Sequence, residues 1–376
     1  MAHSTAQFLF FADLHLDRAF AWLRDKPEAA RKLRNGLRDT LANIADVARQ
    51  QRVDALLCAG DLYEQEMYSP DTAAFIRQIF ADLHPTPVLL APGNHDWLGP
   101  YSIYRTAEWS PNVRIFGERD FQPEVLDDGL TIWGIAHLQP AELRNPLEGV
   151  RVDRGGVNLA LFHGSEYHFS GNLKHSQTAH APFQAEDIPR AGFEHGFVGH
   201  YHLRVEAERH TYPGNPHPLS FGEKAPGGAV LITVSEDGGL DRQWIPVTKT
   251  KFHDLAVDVT GAHSGQSIRD RVLEALNGYS GLARVTIEGE IPSEVDIGMT
   301  DFKDLDTPLD ALVVRSGDLQ VAYDLERISK EPTVRGQFVL NVLDSDLDEE
   351  TRQRVLITGL RSLDGRKDLE VFQGAL

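Results

Sequence analysis

The chain has 376 residues, of which 41% are hydrophobic and 25% are charged, and its formal net charge is −19. The composition is typical of a folded globular protein, and the length predicts two or three domains. The acidic balance argues against a protein that coats nucleic acid, but it leaves a nuclease open, because metal ions can supply the positive field that a phosphodiester requires.

Two features concern the cellular compartment. No apolar run reaches the length of a membrane span, and no signal-peptide apolar region precedes Phe8. The single cysteine, Cys58, cannot form a disulfide within the chain and is expected to be a small core residue. We therefore expect a cytoplasmic protein without a membrane partner.

The first predicted strand is the apolar run 7–11, which ends shortly before Asp13 and His15. Residues two apart project to the same side of an extended chain, so these side chains form a chelating pair. Apolar residues then recur at intervals of three and four from Pro27 to Arg49 and predict an amphipathic helix. The basic residues of this region are interpreted as a solvated helix face: Arg18, Arg24, Lys26, Arg31, Lys32, Arg34 and Arg38.

The second and third predicted strands, 54–59 and 88–90, also end in polar residues. The second strand ends in Gly60-Asp61, and the third leads into Gly93-Asn94-His95-Asp96. Parallel strands end at one sheet edge, where α/β proteins hold their ligands. An amide oxygen, an imidazole and a carboxylate this close together can coordinate a metal, donate a proton and orient the imidazole. We therefore expect chemistry here, with His95 and Asp96 as the catalytic pair.

Short strands separated by turns follow from Val113 to His163 and predict a second sheet packed on the first. One of these strands ends in His163, and a later apolar segment leads into His200 and His202, which again share one side. The remaining histidines of the region are interpreted as loop or rim residues: His168, His175, His180 and His217.

A predicted hairpin over residues 229–247 closes the first domain, because the composition turns acidic from about Lys251. We expect a catalytic domain over residues 1–250, a small α/β cap over residues 251–331 and a helical tail over residues 332–376. The tail helices either pack on their own domain or dock a partner. The expected fold class is α/β, with two stacked mixed sheets flanked by helices and a smaller C-terminal α/β domain.

The side chains that gather at the predicted sheet edge combine carboxylates, imidazoles and an amide. Such mixed ligands suit manganese, iron or zinc better than magnesium or calcium. There are enough donors for two divalent ions, which a bridging carboxylate would hold about 3.5–4 Å apart. The set comprises Asp13, His15, Asp61, Asn94, His95, His163, His200 and His202.

The ordered motifs Asp-x-His, Gly-Asp, Gly-Asn-His-Asp, His-Gly and Gly-His-x-His resemble those of the calcineurin-like metallophosphoesterase family over residues 7–203. The resemblance implies a phosphodiesterase in which a metal-bound hydroxide attacks phosphorus and His95 protonates the leaving oxygen. It implies a first metal on Asp13, His15, Asp61 and His202. It implies a second metal, bridged to the first by Asp61, on Asp61, Asn94, His163 and His200.

Within the family, the segments 212–216 (Tyr-Pro-Gly-Asn-Pro) and 221–223 (Phe-Gly-Glu) resemble those of SbcD-like DNA repair exonucleases. This resemblance implies DNA as the substrate, a DNA-binding cap, an SbcC-like ATPase partner and a homodimer. Two positions depart from the pattern. Asn215 replaces a serine, and Glu64 stands where some of these nucleases have a phosphate-contacting histidine and many other phosphoesterases have an aspartate that pairs with the catalytic histidine.

Two alternatives to a DNA nuclease stay open. The acidic surface favours a phosphatase or phosphodiesterase that acts on a small molecule or nucleotide. A scaffold that retains the fold without activity is a second alternative, but lost activity usually shows as substituted ligands, and here each ligand position is filled.

Overall fold

The computed structural model describes residues 5–127, 129–167, 179–223, 227–293, 295, 297–298, 302 and 305–365. The chain divides into two compact units, Met1–Thr250 and Lys251–Leu376. The segment predicted as a helical tail belongs to the second unit, and its residues 366–376 lie outside the described part of the chain.

Two six-stranded sheets form the first unit. The first sheet contains β1 (Ala6–Phe11), β2 (Ala55–Cys58), β3 (Val88–Leu90), β4 (Val113–Ile115), β11 (Gly228–Val234) and β12 (Leu240–Pro246), in the order β12-β11-β1-β2-β3-β4. The second contains β5 (Gln122–Asp127), β6 (Leu130–Gly134), β7 (Val157–His163), β8 (His195–Gly199), β9 (Arg204–Glu206) and β10 (His210–Pro213), in the order β5-β6-β7-β8-β10-β9.

The core of this unit lies between the two sheets. One cluster of buried side chains joins Phe10 and Leu57 of the first sheet to Leu161 and Phe197 of the second, and the rings of Phe10 and Phe197 are 5.2 Å apart. Strands that are covered on both faces read as continuous apolar runs, which is why the sequence predicted them. The expected fold class, two mixed sheets flanked by helices, is confirmed.

The helices of the first unit follow the predicted apolar spacing. The longest, α1 (Pro27–Gln51), buries Leu33, Leu37, Leu41 and Ile44, and it contacts β1. The Ser69 side chain caps the next helix by accepting a hydrogen bond from the Thr72 N–H. The elements are a 3₁₀-helix (Ala21–Leu23), α1 (Pro27–Gln51), α2 (Pro70–Ala81), α3 (Ile103–Thr106) and α4 (Asp187–Ala191).

Strand direction decides where the polar strand ends meet. The strands β1, β2 and β3 run parallel to one another, as do β6, β7 and β8 in the second sheet. Their carboxyl ends therefore form one edge in each sheet, and the predicted ligands follow these ends.

The second unit is built on a three-stranded parallel sheet in the order β13 (Phe252–Asp258), β14 (Gly281–Pro292), β15 (Leu309–Ala322). The strand β15 is absent from the sequence prediction, because Arg315 and Asp318 interrupt its apolar pattern at exposed positions. The tail helices pack within this unit around Ile328, Val339 and Leu360. The elements are β13 (Phe252–Asp258), α5 (Gly265–Ala275), β14 (Gly281–Pro292), β15 (Leu309–Ala322), α6 (Leu325–Ser329), α7 (Val334–Leu343) and α8 (Glu349–Leu363).

Among the described helices of both units, none combines the length and the apolar character that a membrane crossing requires.

Candidate metal centre

The site residues of the first sheet lie in tight turns directly after their strands. Asp13, His15 and Asp61 adopt φ angles of 57°, 54° and 53°, in the left-handed region that side-chain-bearing residues rarely occupy. Backbone hydrogen bonds between the two turns hold this conformation: the Asp13 N–H donates to the Gly60 carbonyl at 3.0 Å and the His15 N–H to the Asp61 carbonyl at 2.9 Å. The turns thereby bring the three side chains to one place.

The turn after β3 approaches the same place because it contains glycine. A Cβ atom added at Gly93 would lie 2.4 Å from the Asp61 Oδ1 and 2.9 Å from the His163 Nδ1. A Cβ atom at Gly60, which has a φ of 87°, would lie 2.7 Å from the Gly93 Cα. Any side chain at these two positions would push the strand ends apart.

The predicted ligands form two overlapping groups around Asp61. Its Oδ2 lies 3.8 Å from the His15 Nε2 and 3.4 Å from the His163 Nε2, while its Oδ1 accepts the His95 N–H at 2.8 Å. The Asn94 Oδ1 lies 2.9 Å from the His163 Nε2. Asp61 therefore stands between the ligands that were predicted for the two ions.

The remaining predicted ligands complete the two groups. Asp13, His15 and His202 offer ligand atoms within 4.8 Å of one another, as do Asp13, Asp61 and His163. The His200 N–H donates to both Asp13 carboxylate oxygens at 3.1 Å, and the ring of His200 lies 5.2 Å from that of His163. The structure thus brings together every residue that was predicted as a metal ligand.

Hydrogen bonds fix which ring nitrogens are available as ligands. The His163 Nδ1 donates to the Ala59 carbonyl at 2.8 Å, and the His15 Nδ1 faces the Glu64 Oε1 at 3.0 Å, so both Nε2 atoms keep their lone pairs. The His15 Nε2 and His202 Nε2 are only 3.2 Å apart. Two ring nitrogens at this distance require a proton or a cation between them, so the donor set fits a divalent cation.

Burial sets the charge of these groups. It raises the pKa of the Asp13 carboxyl to about 7 and lowers the pKa of His163 to about 3. It also lowers the pKa of His200 well below its usual range. For Asp61, burial is outweighed by the nearby imidazoles of His163 and His15, which lower its pKa. The lowered pKa values of His163 and His200 favour the neutral imidazoles that bind metal, whereas the raised pKa of Asp13 favours its protonated form until a cation is present.

Glu64 connects a predicted ligand to the predicted acid. Its Oε1 accepts hydrogen bonds from the His15 Nδ1 at 3.0 Å and the Arg18 Nη1 at 3.1 Å, and its Oε2 accepts one from the His95 Nδ1 at 2.9 Å. Burial alone would lower the pKa of His95, but the hydrogen bond to Glu64 raises it to about 9. This hydrogen bond therefore favours the protonated form of the His95 imidazole, whose side chain is 42% exposed.

Asp96 does not contact the His95 ring in the way that the sequence suggested. Its buried carboxylate accepts hydrogen bonds from the N–H groups of Asp61, Leu62 and Gly93 at 3.0, 2.8 and 2.6 Å, and from the Tyr104 hydroxyl at 2.5 Å. These bonds tie the turn after β2 to the turn after β3. The His95 Nδ1 faces Glu64 instead, and the catalytic assignment of Asp96 stays a prediction.

The segments 212–216 and 221–223, which resemble nuclease motifs, contact the predicted ligand His202 and the carbonyl next to the predicted ligand His163. The Glu223 Oε1 lies 3.5 Å from the His202 Nδ1, and the Asn215 side-chain amide donates to the Glu223 Oε2 at 2.7 Å. The Tyr212 hydroxyl donates to the Gly164 carbonyl, next to His163, at 2.7 Å. Asn215, which stands where the nuclease motif has serine, thus still supplies a hydrogen-bond donor to Glu223.

The other histidines have different surroundings. The His180 ring lies 5.6 Å from that of His200, at the border of the site. His217 lies in a loop, as predicted, but it is not at the rim, because its side chain is fully buried and its Nε2 lies 2.9 Å from the Thr250 Oγ1. The predictions for His168 and His175 fall outside the described residues.

Comparison with known proteins gives a family and several relatives. The family model described as calcineurin-like phosphoesterase matches residues 6–203. The chain is 26% identical over 303 residues to the "Uncharacterized metallophosphoesterase YhaO" of Bacillus subtilis (strain 168), and the match covers 76% of this chain and 72% of YhaO.

A second relative is the DNA double-strand break repair protein Mre11 of Methanopyrus kandleri, which is 23% identical over 294 residues. This match covers 69% of this chain but 61% of Mre11, so the chain spans less than two thirds of that protein. Among solved structures, TT1561 of Thermus thermophilus is 16% identical with a TM-score of 0.38, covering 64% of this chain and 99% of that one.

Proposed function

Because the chain belongs to the calcineurin-like phosphoesterase family, whose members hydrolyse phosphoester bonds, we propose that it is a two-metal phosphodiesterase that acts on DNA. The observation that carries the proposal is the position of Asp61 between two groups of candidate ligands, with the His95 imidazole hydrogen-bonded to Glu64 beside it. The donors fit metal ions, and the imidazole fits a proton donor that is not itself a ligand.

In this proposal, Asp13, His15, Asp61 and His202 would hold one ion, and Asp61, Asn94, His163 and His200 would hold the other. Imidazole, carboxylate and amide donors suit manganese, iron or zinc. When bound, the two ions supply positive charge to the phosphoryl oxygens and activate a water molecule.

The protein's own residues supply the proton for the leaving group. Since the His95 Nδ1 donates to Glu64, the Nε2–H is left to face the substrate. Glu64 fixes the tautomer and the ring orientation, and it stabilises the protonated form. Asp96 holds the turns that carry Asp61 and Gly93, so it acts on geometry rather than on the proton.

Two observations support DNA as the substrate. The segments 212–216 and 221–223 resemble those of DNA repair exonucleases, and one relative is the double-strand break repair protein Mre11. The net charge of −19 favours the alternative, a phosphodiesterase for a small molecule or nucleotide. The SbcC-like ATPase partner, the homodimer, the cytoplasmic location and the DNA-binding role of residues 251–331 stay predictions.

One assay separates the two substrates. The purified chain with added manganese is given single-stranded DNA, duplex DNA and a small chromogenic phosphodiester, and Asp61→Asn serves as the matched inactive control. We expect cleavage of DNA and of the small diester by the wild type, and of neither by the variant. Turnover of the small diester without cleavage of either DNA would overturn the DNA proposal and favour the alternative.

A further inference from the structure

Glu64 and its hydrogen-bond partners His15, His95 and Arg18 form a group that we call the Glu64 cluster. The chemistry proposed above does not use the cation of this cluster, Arg18. The Arg18 Nη1 donates to the Glu64 Oε1 at 3.1 Å, on a side chain that is 38% exposed. This contact contradicts the interpretation of Arg18 as part of a solvated helix face. We propose that the Arg18 guanidinium binds a non-bridging oxygen of the substrate phosphate. The inference rests on the proposed phosphoesterase function and adds a substrate-binding residue to it.

The backbone around Arg18 is held in place from both sides. The Arg18 N–H donates to the His15 carbonyl at 3.1 Å, so the residue continues the ligand-bearing turn. The preceding residue, Asp17, has a φ of 65°, and its carboxylate accepts hydrogen bonds from the Ser69 N–H at 3.0 Å and the Thr72 hydroxyl at 2.5 Å. The Arg18 side chain therefore starts from a fixed point beside the metal ligands, which lowers the entropy cost of binding.

The Arg18 guanidinium has N–H donors that its hydrogen bond to Glu64 does not use. It offers five N–H donors in a planar fork, and a phosphate takes up two of them in the bidentate geometry. Within the part of the chain that the structure describes, the Arg18 side chain makes its hydrogen bond to Glu64 alone. The remaining N–H groups are available to a ligand, since the Arg18 side chain is 38% exposed whereas that of Glu64 is 14% exposed.

Charge also favours such a cation. The Glu64 carboxylate lies directly beside the His95 imidazole, where the substrate phosphate has to arrive, and its negative charge repels a phosphate. The Arg18 guanidinium offsets this repulsion and attracts the phosphate itself. The same ion pair holds the guanidinium over the site instead of leaving it free in solvent.

Arg24 offers a matched control on the same segment. It is an exposed arginine six positions further along the chain, at the end of the 3₁₀-helix, and it does not contact the Glu64 cluster. Two other cations of this region, Arg31 and Arg38, form ion pairs with Glu28 and Asp71, outside the site. Arg24→Ala thus removes the same charge without removing the proposed contact.

The test compares Arg18→Ala, Arg18→Lys and Arg24→Ala in the full chain with added manganese. Calorimetry measures the affinity for inorganic phosphate, and steady-state kinetics measure KM and kcat for a small chromogenic phosphodiester. A charge-assisted hydrogen bond is worth about 10- to 100-fold in affinity, so Arg18→Ala should weaken phosphate binding and raise KM by that factor. Arg18→Lys should recover part of the loss, millimolar guanidinium should partly rescue Arg18→Ala, and Arg24→Ala should resemble the wild type.

Unchanged phosphate affinity and KM in Arg18→Ala would overturn the inference. So would a fall in kcat alone, because Arg18 would then act only by positioning Glu64. Metal content and thermal unfolding verify that each variant is folded, and Arg18→Met replaces Arg18→Ala if the latter fails this check. If the wild type turns over the small diester but not DNA, the DNA proposal fails, while the comparison of Arg18 variants still decides the inference.

Discussion

Replacing Glu64 by glutamine tests the proton donor directly, since the change keeps the shape of the side chain and removes its charge. The Glu64 carboxylate is the partner that raises the pKa of His95 from its ordinary value of 6.5 to about 9. A raised pKa keeps the imidazole protonated until the pH passes through about 9, so the proton needed by the leaving group is lost only above that value. In Glu64→Gln the imidazole should lose this proton near the ordinary histidine pKa of 6.5.

The size of the effect follows from these two values. At pH 8 the protonated fraction of His95 falls from about 0.9 for a pKa of 9 to about 0.03 for a pKa of 6.5, so kcat/KM should fall by about 30-fold. Bound metal cations lower both pKa values, and the quantity tested is therefore the difference between the two proteins. Near pH 5.5 both keep His95 largely protonated, and the gap between their rates should narrow.

The assay is a pH profile of kcat/KM for the small chromogenic phosphodiester with added manganese, and metal content is measured on the same preparations. Glu66→Gln is the matched control, because Glu66 is exposed and lies two residues away. We expect the alkaline limb of the profile to move to lower pH in Glu64→Gln and to stay in place in Glu66→Gln. Superimposable limbs in all three proteins would refute the assignment of Glu64 to His95.

Three further predictions concern the acid, a close approach and the second unit. His95→Ala should lower kcat by about 10²- to 10⁴-fold at unchanged metal content, whereas His163→Ala should lose metal and be partly rescued by extra manganese; rescue of His95→Ala by manganese would identify His95 as a ligand. Gly93→Ala should reduce the bound metal per chain, because its Cβ would lie 2.4 Å from the Asp61 Oδ1, and an unchanged metal stoichiometry would contradict this. A chain truncated after Thr250 should cleave the small diester normally and DNA poorly; an equal loss on both substrates in a folded truncation would argue against DNA binding by the second unit.

The sequence predicted which side chains lie close together because strand direction determines where the strands end. Asp13, Asp61 and Asn94 follow three apolar runs that could be recognised as buried strands, and parallel strands necessarily end at one edge. The order of the elements was sufficient for this conclusion, and no knowledge of side-chain direction was needed.

The direction of individual carboxylates could not be predicted in the same way. Asp96 is adjacent to His95 in the chain, yet its carboxylate turns toward the N–H groups of Asp61 and Leu62, while Glu64 reaches the imidazole from another turn. These directions depend on left-handed residues such as Asp61, with a φ of 53°, and the composition of a turn does not reveal which of its residues adopt that conformation. The position of Glu64, three residues after the predicted bridging ligand Asp61, was the feature of the sequence that could have indicated its role. No comparable feature indicated a role for Arg18.

The ligand groups draw on both sheets of the first unit. Asp61 and Asn94 belong to turns of the first sheet, whereas His163 ends one strand of the second sheet and His200 follows another. An ion bound by these residues would link the two sheets at this edge, in addition to the apolar core that joins them through Phe10 and Phe197. The free energy of metal binding would therefore add to the free energy of unfolding of this unit, and removing the metal with a chelator would make the unit less stable.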